Sequence, residues 1–244
     1  MVNILLEGYD IDAPWLYGVL RPYIRPSDRV AVVAFSFRDN RVKSPEDWDR
    51  LYAKEKGMYC GGITGGFAAY GIPPEQVSFL DYFRDTKKSA REKAEGADIL
   101  YFLGGLPDRM LERIEEFDLT DALMRHKGVA MGYSAGAVIQ LAEYHLSPDE
   151  DYPEFAYYRG LPYLDGFYLE VHYQGTAVQK AASPAGVCLR RPGFSCARET
   201  GERARRGSAP APPVPRALKR RGHRFDDKQA GAEPQPADFE SVWQ

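Results

Sequence analysis

Through the first two-thirds of the chain, short apolar runs alternate with longer stretches of helical spacing. Residues 2–6, 30–35, 77–80, 99–103 and 129–131 are compact and rich in β-branched or aromatic side chains, as strands buried on both faces should be. Helical patterns fill the intervals. Segment 14–23 opens on Pro14, whose missing N–H costs little in a first turn. Segment 45–56 follows Ser44, a natural N-cap, and places Glu46 and Asp47 at the positive end of the dipole. Segments 107–117 and 119–126 come after the fourth run, and 135–144 after the fifth. The alternation predicts an α/β fold, with a mostly parallel sheet sandwiched by helices. In such sheets ligands bind beyond the carboxyl ends of the strands. Two of those ends carry glycines: Leu103-Gly104-Gly105-Leu106-Pro107 and Gly132-Tyr133-Ser134-Ala135-Gly136.

The pattern breaks after Ala182. Residues 183–222 are dominated by Arg, Ala, Pro, Gly and Ser, with Pro210, Pro212, Pro213 and Pro215 close together. No period of 2 or 3.6 survives, and scarce large aliphatics leave too little burial to offset ordering entropy. The expected organisation is an α/β domain over 1–182 and a disordered Arg/Pro/Ala-rich tail over 183–244. A shifted reading frame near Ala182 would also produce so abrupt a change, which resequencing of the coding DNA tests.

Composition narrows the function classes. With 32 basic and 35 acidic residues the net charge is −3, which gives no electrostatic reason to expect nucleic acid or an anionic membrane as partner. The arginine cluster 203–206 lacks interleaved aromatics and is a weak case for nucleic-acid binding. Cys60, Cys188 and Cys196 are too few and too irregular for a disulfide framework or a zinc site, and no metal or organic cofactor is implied. No segment approaches ~20 apolar residues and no charged leader opens the chain, so the expected compartment is the cytoplasm, without membrane attachment.

Candidate chemistry centres on Gly132-Tyr133-Ser134-Ala135-Gly136, a G-x-S-x-G pattern between a strand and a helix. A sharp strand-to-helix turn there exposes the serine Oγ, and flanking glycines let the backbone turn without clash. The Ala135 N–H, at the start of the following helix, is placed to stabilise an oxyanion with help from the helix dipole. The plainer reading makes Ser134 an ordinary N-cap. A serine needs a base, and the chain has four histidines. His126 reads as a helix cap, His145 as a surface or structural residue and His223 as solvated. His172 ends an extended segment, 167–173, where an active-site base belongs. Other features read more plainly. The glycine run 61–66 lacks the phosphate-loop ending and reads as a flexible turn before a helix. The acidic run 147–154 reads as a solvated loop near the site, and Tyr157-Tyr158 as packing.

Taken together, the serine box, the Gly104-Gly105 turn after the preceding strand and His172 downstream resemble the peptidase E/cyanophycinase family (S51), over residues 2–180. The resemblance implies a class I glutamine amidotransferase-like, flavodoxin-like sandwich. It further implies Ser134 as nucleophile, His172 as general base, and the N–H groups of Gly105 and Ala135 as oxyanion hole. The substrate class it implies is a small peptide or related amide. This chain departs from the family where Leu106-Pro107 intervenes before Asp108, which weakens transfer of aspartyl-dipeptide specificity. The family's third residue is a carboxylate downstream of the histidine. Glu202 stands at a comparable distance, and Glu170 is the substitute within the domain, sharing a face with His172 if that segment is extended. The alternative in a different class is a non-catalytic, ligand- or partner-binding member of the fold.

Overall fold

Strand β1 (Val2–Leu6) shows how the sheet is built: Ile4 and Leu6 enter one apolar cluster, while Leu5 enters another on the opposite face. The same period of two divides β2 (Val30–Val33), β4 (Ile99–Phe102) and β5 (Val129–Tyr133). Val30, Val32, Ile99, Tyr101, Val129 and Met131 face one way, and Ala31, Val33, Leu100, Phe102 and Ala130 the other. This computed structural model describes residues 1–54, 56–182, 187–188 and 194–198. They lie in a unit spanning Met1–Gly201, and the second unit, Glu202–Gln244, falls outside the described residues.

The order β1-β5-β4-β2-β3, with β3 at Val77–Leu80, is parallel throughout. Right-handed crossovers explain which face each helix covers. While the chain steps outward from β1 to β3, its helices α1 (Pro14–Leu20), α2 (Pro45–Tyr52) and α3 (Cys60–Ala68) cover the first face through Leu16, Leu20, Trp48, Tyr52, Ile63 and Phe67. When it steps back through β4 to β5, α4 (Lys87–Glu95), α5 (Pro107–Glu116) and α6 (Thr120–Met124) cover the second with Ala90, Met110, Ile114 and Leu123. The α/β sandwich read from the sequence is therefore present. Ser44 caps α2 by accepting from the Asp47 N–H at 3.2 Å, as expected of an N-cap.

Four expectations need correction. The glycine run 61–66 is not a turn but the body of α3: Ile63 and Phe67 are buried, and Ile11 packs where a Cβ on Gly66 would stand. Tertiary packing overrides glycine's poor helix propensity there. The helix expected over 135–144 stops at once, as α7 (Ala135–Val138). The chain then enters a hairpin of β6 (Glu143–Leu146) and β7 (Ala156–Arg159), in which Tyr158 stacks on the buried Tyr144. The extended segment 167–173 is strand only at β8 (Leu169–Glu170). Beyond Ala182, where no regular element is expected, β9 (Val187–Cys188) pairs with β8, and β10 (Phe194–Arg198) adds an antiparallel edge to β1. The rest of the 183–244 segment lies outside the described residues. Among the described residues no helix is long and apolar enough to cross a membrane.

Candidate active site

Strand β5 leads straight into Ser134. The Ser134 N–H still bonds Leu6 O at 3.0 Å, continuing the ladder to β1, yet Ala135 is already helical. One residue must make the whole reversal, and Ser134 does so at φ 51° and ψ −115°. Positive φ is strained for any residue with a Cβ. The glycines at 132 and 136 have a different role: a Cβ on Gly136 would collide with Phe102 O of β4, and one on Gly132 with Gly136 O. The start of α7 thus rests directly on the sheet. Ser134 makes no side-chain cap hydrogen bond, so the N-cap reading is excluded. Its Oγ lies instead 2.7 Å from His172 Nε2.

Gly105 follows β4 on the neighbouring strand end, with φ 129° and its Cα hydrogen side against Ser36 O, where no side chain fits. Ser36 fixes the turn from both sides: its Oγ donates to Gly104 O at 2.5 Å, and its carbonyl accepts the Leu106 N–H at 2.8 Å. Among the described residues, no group accepts a hydrogen bond from the N–H of Gly105 or of Ala135. The dipole expected behind Ala135 is reduced, because α7 is a single turn.

His172 is reached differently. It stands two residues past the end of β8, with φ 53° and an exposed side chain. The chain then turns into α8 (Ala177–Ala182), whose buried Gln179 reaches back. Gln179 Oε1 accepts from the N–H groups of Gln174, Gly175 and Thr176 at 2.9, 3.0 and 3.3 Å. Its Nε2 donates to His172 O at 3.3 Å and to Glu170 Oε1 at 3.2 Å. The Gln179 N–H meanwhile donates to Thr176 Oγ1 at 3.2 Å, closing a reciprocal capping box.

Glu170 is buried close by, but not as the sequence expects. The positive φ at His172 ends the strand, so the two do not share a strand face. The Glu170 carboxylate accepts from His145 Nε2 at 2.7 Å, from Ser147 Oγ at 3.0 Å and from Gln179. Among the described residues, Glu170 is linked to His172 through the Gln179 amide. His145, read as surface or structural, is fully buried and packs against Phe155, Tyr157 and Tyr168. Because a carboxylate only accepts, His145 carries its proton on Nε2 toward Glu170. Glu202 lies outside the described residues.

The loop between β6 and β7 is exposed and tied to the same end of the sheet at two points. Arg38 donates to both carboxylate oxygens of Asp151 through Nε and Nη2, which holds its pKa above the usual arginine value. Tyr152 donates to Asp108, in the first turn of α5, at 2.5 Å; burial and that carboxylate push the phenol up. An open cleft of about 960 Å³ lined by Trp48, Tyr52, Cys60 and Phe79 lies apart from this site, and neither Ser134 nor His172 lines it. Of its charged side chains, Arg84 pairs with Asp49 and Asp81, and Lys93 with Asp85.

Sequence reasoning missed three participants. Gln179 was legible, since Thr176-Ala177-Val178-Gln179 is a T-x-x-Q capping-box signature. His145 and Ser36 carried no local signal.

No family profile matches this chain, and no curated protein is similar to it. Solved structures are. A crystal structure from Listeria monocytogenes EGD-e, of a protein provisionally designated peptidase E, matches with a TM-score of 0.55 at 15% identity, covering 82% of this chain and 98% of that one. At that identity the likeness establishes the α/β fold alone. The structure of a peptidase from an acI-B1 Actinobacterium overlaps more loosely, with a TM-score of 0.47 at 17% identity over 70% of this chain and 68% of that one.

Proposed function

We propose that this chain is a serine-type hydrolase of small peptides or related amides, with Ser134 as nucleophile and His172 as general base. The observation that carries the reading is the 2.7 Å approach of Ser134 Oγ to His172 Nε2, made on a strained elbow at the carboxyl end of a parallel sheet. Attack begins as Ser134 Oγ adds to the substrate carbonyl while His172 Nε2 takes its proton. The carbonyl oxygen becomes an oxyanion held by the N–H groups of Gly105 and Ala135. His172 then returns the proton to the leaving amine, and water releases the acyl group by the same steps in reverse. The peptidase designation of the Listeria neighbour agrees with this reading.

A second reading, a ligand-binding member of the fold without turnover, is favoured by one observation. Glu170, the carboxylate nearest the histidine in sequence, is engaged by His145, Ser147 and Gln179. Turnover of a panel of dipeptide amides and aryl esters separates the two. The hydrolase reading expects measurable kcat/KM that falls by about 10³-fold or more in Ser134→Ala. Turnover that survives Ser134→Ala refutes it, and absence of turnover with retained saturable binding supports the second reading.

A further inference from the structure

His172 itself belongs to neither a strand nor a helix. The residue lies past the end of β8 with positive φ and an exposed side chain. A buried amide, Gln179, reaches this turn and meets five backbone or side-chain groups through both of its ends. The arrangement is polar in a strict sense. The Oε1 side faces three N–H donors, and the Nε2 side faces two acceptors, His172 O and Glu170 Oε1. Rotating the amide by half a turn would set donor against donor and acceptor against acceptor at every contact. Glu170 adds to this polarity as the side-chain acceptor on the Nε2 side, and Glu170 is fixed in turn by His145 and Ser147 from the β6 side.

We infer that Gln179 is the positioning residue of the site, and that Glu170 acts through it to set the backbone that carries His172. The inference rests on the Ser134–His172 reading above. It assigns the buried His145–Glu170–Gln179 series a task other than that of a triad acid touching the imidazole. A nucleophile and base that drift by about an ångström lose on the order of 10²-fold in rate, so the alignment is worth a dedicated structure.

The polarity of the amide gives the test. Rates of Ser134 labelling by a fluorophosphonate are measured on the full chain, together with hydrogen exchange over 172–176. Gln179→Ala is expected to slow labelling by tenfold or more and to expose the amides of 174–176. Glu170→Gln is expected to do nearly the same, because its new NH₂ opposes that of Gln179 while its oxygen still serves His145 and Ser147. Adding Gln179→Glu to Glu170→Gln restores a donor–acceptor pair between the two side chains and is expected to return protection to the amides of 174–176, since the new carboxylate accepts those three N–H groups and the amide introduced at position 170; labelling stays slow, because His172 O then faces a carboxylate oxygen in place of the Nε2 donor. Recovered protection in the double variant also excludes a simple failure to fold. Native labelling rates in Gln179→Ala, or amides of 174–176 that exchange faster in the double variant than in both singles, overturn the positioning role and leave the hydrolase reading intact. If the native chain does not label at Ser134, the hydrolase reading falls and takes the positioning role of Gln179 with it. Exchange at 174–176 in the variants then reports the clamp alone.

Discussion

The two partners of the candidate site are secured by opposite means. Ser134 is held by backbone packed on backbone: the elbow rests on β4 through Gly132 and Gly136, and the buried Gln140 ties α7 to β1, donating to Gly136 O at 2.9 Å and accepting from Asn3 at 3.1 Å. His172 is held outside the sheet by polar side chains acting in series. The first arrangement tolerates no added atom. The second depends on the polarity of each contact. A reactive pair can thus join a rigid element to an adjustable one, and the two halves should fail differently.

That contrast is broken most severely at Gly136. Gly136→Val puts carbon into Phe102 O, and we expect a loss of about 3 kcal/mol or more in urea unfolding, with little folded protein recovered. Next comes Glu170→Ala, which strands three buried or half-buried donors at once. Unfolding should cost about 2–3 kcal/mol less than in the native chain, while the Ser134 elbow stays intact by crystallography. A smaller effect of opposite sign tests the strain at the elbow: Ser134→Gly should be more stable than Ser134→Ala by about 1 kcal/mol, because only glycine relaxes at φ 51°. Equal stability of those two variants would mean that the elbow is not strained.

The smallest effect lies away from the site. His126 is half-buried against Val129 O, and loss of hydration lowers its pKa below the ordinary 6.5. The unfolded chain therefore binds this proton more readily than the folded one. Stability is full above about pH 6.5 and declines as the pH falls through and below that value. His126→Gln should flatten this acid limb in thermal melts and leave the alkaline limb unchanged.

The same division separates what was legible in the sequence from what was not. The strands and the elbow were legible because they rest on local rules: apolar runs of strand length, glycines two residues either side of Ser134, and a helix start directly after it. The length of α7 was not, because residues 139–146 are apolar enough for either state. Only pairing with β7, set by distant residues, resolves them as turn and strand. The Glu170–His172 relation failed for a related reason. Period-two reasoning assumes an extended backbone, and a single positive φ at His172 removes it. The partners of Glu170, His145 and Gln179, stand 25 positions before it and nine after, and side-chain contacts at such separations leave no periodic trace.

The central claim is that His172 activates Ser134. The most direct measurement is fluorophosphonate labelling of the purified chain, with the modified residue located by peptide mass spectrometry, in the native protein, Ser134→Ala and His172→Asn. The account predicts a single adduct on Ser134, none in Ser134→Ala, and labelling slowed by about 10²-fold or more in His172→Asn. An adduct on another residue, or a His172→Asn rate equal to the native one, would contradict it.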